Sequence, residues 1–289
     1  MPKITVQHGC AKAQLALVPK VAKVIKITVE TPDVKSFRLQ MPNGEAPFLG
    51  EPGQFGIMGI IGSGECVFVI SAQGEDWIEF TVKRVGQVTE MLHALSEGDE
   101  VFVRGPYGNW WPYEDCRGRD MLFIAGGIGL PPVRSFLQYC LEHRADYGRI
   151  DLVYSGSTYD ELVFKHQLFD EWKTVDNMGV HVSLYHEDSR WDGEVAYTAP
   201  YLEKLAIDPM GSNGEGRVAV ICGGPSLYRT GTKELLKEGY APENVLTTLE
   251  MRMKCGIGKC GRCNIGGKFI CLDGPVFSLE EVAQMNRDE

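Results

Sequence analysis

The sequence predicts two folded domains, an antiparallel β barrel followed by a doubly wound parallel α/β sheet, and a short cysteine-rich segment. Residues 21–113 contain many short strands of alternating apolar and polar residues separated by turns, which is typical of a closed antiparallel barrel. Residues 114–249 alternate apolar strands with helices, which predicts a parallel sheet. Residues 250–289 contain four closely spaced cysteines. Residues 1–20 show no clear period and are predicted to form an N-terminal arm.

The barrel region begins with a regular alternation over residues 21–41. A turn at Thr31-Pro32-Asp33 interrupts it, so we expect two antiparallel strands joined there. A short helix is expected at residues 88–95. Further barrel strands are predicted at residues 54–58, 66–71, 77–83 and 100–104.

The α/β region consists of apolar strands, each short enough to be buried in a sheet. The predicted strands are residues 120–125, 149–154, 180–185, 218–222 and 245–249. The predicted helices are residues 131–147, 168–174 and 226–238. We expect the cysteine-rich segment to follow directly after the last of these strands.

Composition excludes several classes of function. The net charge of −10 argues against nucleic acid or an anionic membrane surface as a partner, since both require basic surface. No apolar stretch is long enough to span a bilayer, and the first residues lack the pattern of a signal peptide. Five cysteines outside the C-terminal segment show no pairing logic, which is typical of a reducing compartment. A cytoplasmic protein is therefore expected.

The cysteines of the last segment have the spacing C-x4-C-x2-C-x7-C. Four thiolates hold a 2Fe–2S cluster, and an x4 spacing followed by x2 is the plant-type ferredoxin arrangement. Glycines between them let the backbone turn tightly around an inorganic core. Zinc sites usually pair their cysteines at C-x2–4-C twice, and disulfides are the other alternative. The predicted cluster ligands are Cys255, Cys260, Cys263 and Cys271.

Two glycine turns each follow a predicted strand and precede a predicted helix. They are Gly126-Gly127-Ile128-Gly129 and Cys222-Gly223-Gly224-Pro225. Backbone amides at a helix N-terminus bind diphosphates, and both turns lie at the carboxyl edge of the sheet, where open α/β folds bind ligands. Either turn alone is compatible with a tight connection without a ligand. Together they predict a nucleotide site.

With these motifs in this order, the chain resembles the ferredoxin–NADP reductase superfamily. Within it, the chain is most similar to the flavin-containing diaphorase (gamma) subunits of sulfhydrogenase-type nickel–iron hydrogenases. It is also similar to the electron-transfer subunit of dihydroorotate dehydrogenase and to the NADH-linked subunit of anaerobic sulfite reductase. The matching stretches are residues 52–55, 83–89, 104–108, 126–129, 222–225, 250–271 and 274–277.

The resemblance implies FAD on the barrel, with its ring system along the strand Phe68-Val69-Ile70-Ser71 and residues Val82 and Lys83 nearby. It places the FAD diphosphate at Gly86-Gln87-Val88-Thr89, with the Thr89 hydroxyl facing the phosphates. The strand departs from the superfamily pattern, because its arginine is missing and Val69 stands where the relatives have serine. Lys83 or Arg84 is the candidate replacement for that positive charge.

The resemblance also implies a nicotinamide dinucleotide across the two glycine turns, with its adenosine ribose near Ser155 and Ser157. No arginine stands at the Ser157 position to pair with a 2′-phosphate, which favours NAD over NADP, although Lys165 or Arg229 could serve instead. Glu250 is a candidate for the nicotinamide or flavin pocket. A salt bridge from Glu250 to Arg252 or Lys254 is the alternative.

The expected function is electron transfer between NAD(P)H and a partner redox enzyme through FAD and a 2Fe–2S cluster, with no catalytic side chain. We expect the partner to be the other subunits of a hydrogenase complex. One alternative is the same module serving sulfite reductase, dihydroorotate dehydrogenase or another enzyme. An alternative of another class is a non-catalytic electron-relay adaptor that lacks FAD.

Overall fold

The computed structural model describes residue 4 and residues 17–285, so most of the predicted N-terminal arm lies outside the described residues. The described chain divides into two compact units. One consists mainly of Pro112–Thr248 with Phe277–Ala283. The other contains the barrel up to Trp111 together with Leu249–Val276, which carries the four clustered cysteines.

The predicted barrel is confirmed as six antiparallel strands that close in the order β1-β2-β5-β4-β3-β6. The strands are β1 (Lys20–Thr31), β2 (Val34–Gln40), β3 (Phe55–Ile60), β4 (Gly64–Gln73), β5 (Ile78–Lys83) and β6 (Glu100–Tyr107). Helix α1 (Gln87–His93) follows β5. Inward residues of all six strands form one apolar core that includes Phe37, Met58 and Phe80, each fully buried.

A bulge in β4 changes the direction of its last residues. The pairing of β4 with β5 shifts register between Ile70 and Ala72. Ser71 therefore lies fully buried, and its hydroxyl donates to the Glu79 carbonyl (3.1 Å) and accepts from Thr81 Oγ1 (3.0 Å). The hydrogen bonds satisfy these hydroxyls inside an apolar barrel, where an unpaired one would be costly.

The predicted α/β region forms a seven-stranded sheet in the order β10-β9-β8-β7-β11-β12-β15, and every pairing from β10 to β12 is parallel. Its strands are β7 (Met121–Gly126), β8 (Ile150–Gly156), β9 (Met178–Leu184), β10 (Glu194–Val195), β11 (Val218–Cys222), β12 (Val245–Thr248) and β15 (Val276–Ser278). Its helices are α2 (Leu130–Glu142), α3 (Thr198–Leu205), α4 (Pro225–Lys237) and α6 (Leu279–Met285).

Several predicted boundaries were wrong. The helix expected to reach residue 147 ends at Glu142, and residues 167–174 form a π-helical turn and a 3-10 turn rather than an α-helix. Helix α3 and strand β10 were not predicted. The strand ending at Thr248 is not the last one. The short hairpin β13 (Asn264–Ile265) and β14 (Lys268–Phe269), helix α5 (Ile270–Asp273) and strand β15 follow it.

Within the described residues, no helix has the length and apolar character needed to cross a bilayer.

Buried charges tie the amino-terminal ends of the central strands to the loop before β11. Arg217 donates to Asp151 (2.9 Å) and Asp120 (3.4 Å), and all three side chains are at most 5% exposed. Burial raises the pKa of Asp151. Hydrogen bonds from His181 and Arg149 and the charge of Arg217 have the larger, opposite effect, so the pKa lies below its ordinary value. The ionised carboxylate therefore stabilises the fold at neutral pH.

We predict that Arg217→Met lowers the free energy of unfolding by about 3 kcal/mol at about pH 7, because it removes the buried cation that Asp120 and Asp151 share. A carboxyl with a lowered folded pKa stabilises the fold above its unfolded value, near about 3.9, and this stabilisation disappears as the pH falls. The difference between variant and wild type should therefore persist down to the unfolded value and shrink below it, toward about pH 2. Denaturant titration at both pH values measures this.

Arg117→Met is the matched control, since Arg117 pairs with Glu114 and Asp146 at the exposed surface. It should change the free energy of unfolding by less than about 1 kcal/mol. Equal losses in the two variants would contradict the assignment of Arg217 as a buried charge partner.

Candidate functional site

The cysteine segment directs backbone amides at its own sulfur atoms. Gly256, Gly258 and Gly261 have positive φ values of 78, 72 and 70°, which turn the chain around the thiols. A side chain at Gly256 would also press against the ring of Tyr107 on β6. Three amides point at Cys255 Sγ, from Ile257 (3.4 Å), Lys259 (3.3 Å) and Cys260 (3.4 Å).

The four thiols form two pairs, Cys255 with Cys260 and Cys263 with Cys271. Burial raises the pKa of Cys255, but the amides and the Cys260 thiol lower it to about 7. Burial and the neighbouring Cys263 raise the pKa of Cys271 to about 12. Amides from Gly258 (3.1 Å) and Cys271 itself (3.5 Å) reach the sulfur atoms of the second pair.

Among the described residues, no three His, Cys, Asp or Glu side chains converge on a point where one metal ion could bind. A binuclear iron–sulfur cluster requires two thiolates on each iron, so four cysteines arranged as two pairs fit it. The amides around the sulfur atoms fit it too, since hydrogen bonds to sulfur tune such clusters.

Two barrel residues hold the ends of this segment, and the sequence analysis gave neither a role. Arg104 on β6 donates to the carbonyls of Lys254 (2.7 Å) and Cys255 (2.7 Å). Asn109, fully buried, donates to the carbonyl of Val276 (2.8 Å) and accepts from its amide (2.9 Å). Arg104 belongs to a stretch that carried the family resemblance, and that was the available signal.

The predicted flavin strand is β4. Val69 and Val67 lie opposite Phe55 and Ile57 in the register with β3, and neither valine belongs to the apolar cluster inside the barrel. Val67 and Val69 are therefore on the outer face, half-buried, where they offer an apolar strip that fits a flavin ring. Phe68 packs against the core. The Ser71 hydroxyl is hydrogen-bonded inside the barrel, and the place of this residue along the flavin ring stays a prediction.

The turn predicted to hold a diphosphate lies at the start of α1, but the Thr89 hydroxyl has a different role there from the predicted one. It accepts hydrogen bonds from the amides of Val85 (2.8 Å) and Gly86 (3.0 Å) and donates to the Gly86 carbonyl (2.8 Å). Lys83 forms a salt bridge with Asp33 (3.2 Å). Arg84 is exposed, and no ion pair of its side chain occurs among the described residues. Arg84 is thus the better candidate for the missing charge.

The two glycine turns of the α/β unit lie against each other. They end the adjacent parallel strands β7 and β11. A side chain at Gly129 would overlap the carbonyl of Cys222 and the backbone of Gly223, so only glycine allows this approach. Gly224, by contrast, has no atom within 4 Å of the position its Cβ would take. The open backbone at Gly224 before α4 suits a ligand that needs close approach to amides.

Three further predicted residues, Ser155, Ser157 and Glu250, differ in burial. Ser155 is fully buried and bonds the hydroxyl of Ser183 (2.8 Å) between β8 and β9, so it supports the sheet. Ser157 is half-buried in the turn after β8 and Glu250 is exposed after β12. In the described part of the chain, Glu250 forms no salt bridge to Arg252 or Lys254.

Comparison with known proteins finds two domain matches in this chain. The iron–sulfur cluster binding domain of dihydroorotate dehydrogenase B matches residues 250–283, and an oxidoreductase NAD-binding domain matches residues 123–233. The sulfhydrogenase 1 subunit gamma of Pyrococcus furiosus is 35% identical over 271 residues, 91% of this chain and 90% of the relative. The probable dihydroorotate dehydrogenase B (NAD(+)), electron transfer subunit, of Thermococcus kodakarensis is 34% identical, with 86% and 92% covered.

The chain belongs to the family of sulfhydrogenase gamma subunits and dihydroorotate dehydrogenase electron-transfer subunits. This confirms the predicted family, the oxidoreductase class and the electron-transfer role. The two domain matches confirm the predicted iron–sulfur and nicotinamide cofactors.

Solved structures share the fold of this family member. An NADH-dependent reduced ferredoxin–NADP oxidoreductase studied for flavin-based electron bifurcation aligns with a TM-score of 0.72 at 23% identity, covering 93% of this chain and 92% of that one. The cytochrome b5 reductase domain of Ulva prolifera nitrate reductase gives 0.67 at 20% identity, covering 80% and 98%. The predicted superfamily fold is thereby confirmed.

We predict that Gly224→Ala leaves the melting temperature unchanged but weakens NADH binding by about tenfold, which is about 1.4 kcal/mol. The new methyl group meets no protein atom, yet it would occupy space that a diphosphate needs. Calorimetric titration with NADH, beside a thermal melt, measures both effects.

Gly267→Ala is the control, because Gly267 also has open space around its Cβ position but lies outside the α/β unit. Unchanged NADH affinity in Gly224→Ala would remove the second glycine turn from the proposed dinucleotide site.

Proposed function

We propose that this chain is the flavin- and iron–sulfur-containing subunit of a hydrogenase complex, which transfers electrons between NAD(P)H and the partner subunits. The observation that carries the proposal is the arrangement of the four clustered cysteines, whose thiols form two pairs surrounded by backbone amides. The barrel holds this segment, and the outer face of its strand β4 suits a flavin. The sulfhydrogenase gamma subunits among its relatives support hydrogenase as the partner. The dihydroorotate dehydrogenase relatives support the alternative partner.

Bound FAD would supply hydride chemistry with the nicotinamide cofactor, and a 2Fe–2S cluster would supply one-electron exchange. The residues of this chain hold and orient these groups. The glycine turns would present amides to the dinucleotide diphosphate. Val67 and Val69 would cover one side of the flavin ring, and Arg84 would face its phosphates. No side chain is needed as an acid or base.

The cluster segment also supports a docking role. Between Glu250 and Cys271 it has five cations and one carboxylate, in a chain of net charge −10. Arg252, Lys254, Lys259 and Arg262 are exposed, and no ion pair of theirs occurs within residues 17–285. Cys260 is exposed among them. We infer that an acidic surface of the partner docks here. No disulfide joins any of the eight described cysteines, which supports a cytoplasmic location.

We predict that the purified chain, reconstituted with FAD, iron and sulfide, loses its flavin absorbance on addition of NADH and reduces an artificial acceptor. NADPH should act more slowly. Cys260→Ser should lose the electron paramagnetic resonance signal of the reduced cluster and keep the bleaching by NADH, because the flavin needs no cysteine ligand.

A chain that holds its cluster but shows no flavin band would favour the adaptor alternative. A chain with full flavin that neither bleaches nor reduces an acceptor would contradict the enzymatic proposal.

We predict that Lys259→Glu with Arg262→Glu slows electron transfer to the native partner at low salt by about tenfold or more, with a smaller effect at high salt, because exposed charges steer association and are screened. Stopped-flow kinetics with the isolated partner measures this. Lys23→Glu with Lys26→Glu changes the same charge at exposed positions on β1 and is the control. Equal slowing by both pairs would contradict docking at the cluster segment.

A further inference from the structure

Arg104 has unusual surroundings for a barrel residue. Its side chain is 6% exposed, and its guanidinium donates five hydrogen bonds of 3.1 Å or less. Two go to the carboxylate of Glu65, one to the hydroxyl of Tyr107, and one each to the carbonyls of Lys254 and Cys255. A single buried cation therefore joins β4, β6 and the entry to the cysteine segment.

These contacts fix the peptide that carries the first cysteine. The Cys255 carbonyl is held by Arg104, and the next residue, Gly256, lies against the ring of Tyr107. The amides that follow point back at Cys255 Sγ. Because Arg fixes both carbonyls through a planar, charged fork, it orients this peptide more strictly than a lysine could.

The charges of Arg104 and Glu65 are not equally exposed. The Arg104 side chain is 6% exposed, whereas that of Glu65 is 45% exposed. Water screens the carboxylate more than the guanidinium, so the pair leaves a net positive potential beside Cys255. Burial lowers the pKa of Arg104, but hydrogen bonds to Glu65 and Tyr107 raise it overall, so the cation persists at all working pH values.

We propose that Arg104 and Glu65 act as a pair of positioning residues that set the reduction potential of the cluster bound by Cys255, Cys260, Cys263 and Cys271. The inference rests on the proposed function. One-electron reduction adds a negative charge to the cluster, which Arg104 stabilises and Glu65 opposes. The arginine that the superfamily carries on the flavin strand is missing from β4. Strand β4 instead supplies Glu65, whose carboxylate partly offsets the positive charge of Arg104.

The test is a redox titration of the reconstituted full chain, with the reduced cluster monitored by electron paramagnetic resonance. Arg104→Gln should lower the equilibrium constant for cluster reduction by about tenfold, which is about 59 mV for a one-electron couple. Glu65→Gln should raise it, by less, because the lost carboxylate is partly screened. Arg104→Lys keeps the charge but loses the fork, so its potential should stay closer to wild type than that of Arg104→Gln.

Arg38→Gln is the matched control. Arg38 pairs with the buried Glu79 (2.9 Å) in the same barrel, so its loss should destabilise the barrel without moving the cluster potential. If Arg104→Gln loses its cluster, Glu65→Gln still tests the inference. An upward shift of its cluster reduction potential supports the inference, because a purely structural role predicts no such shift. Unchanged or downward potential in Glu65→Gln overturns the inference. A wild-type chain that takes up no cluster overturns the proposed function itself, and with it this inference.

Discussion

The cluster segment depends on the barrel for its backbone hydrogen bonds. It has little regular structure, so its carbonyls and amides must be satisfied by other groups. Arg104 binds the carbonyls before the first glycine turn, and Asn109 binds the chain around Val276, beyond the last cysteine. Both residues lie on or just after β6. Strand β6 and the residues just after it thus fix both the entry and the exit of the cluster segment.

In the α/β unit, the close approach of two backbone turns shapes the candidate dinucleotide site. Its two glycine turns approach each other because Gly129 has no side chain to meet Cys222. Hydrogen bonds between hydroxyls, such as Ser155 to Ser183, join neighbouring strands at the same edge. The result is a surface of exposed amides rather than a set of reactive side chains. Such a surface suits a cofactor that brings its own chemistry.

Much of this could be predicted from local patterns. The alternation in the barrel, the strand–turn–helix units and the cysteine spacing each depend on residues close together in sequence, so they were visible. The roles of Ser71 and Thr89 were not, because a bulge turned one inward and a tight turn engaged the other. Arg104 was missed because its partners at residues 254 and 255 lie about half the chain away. No local pattern announces a contact of that length.

The cations near the cysteines are either exposed or buried. The exposed ones bear on association with a partner, and the buried one bears on the reduction potential of the cluster. The exposed Lys259 and Arg262 act through solvent, where salt screens them over about 8 Å at physiological ionic strength, so they bear on how fast a partner arrives. The Arg104 guanidinium is buried, so salt screens its charge only weakly. Changing salt should therefore alter association and leave the cluster potential nearly constant. In a chain of net charge −10, a buried cation is the more dependable means of holding that potential.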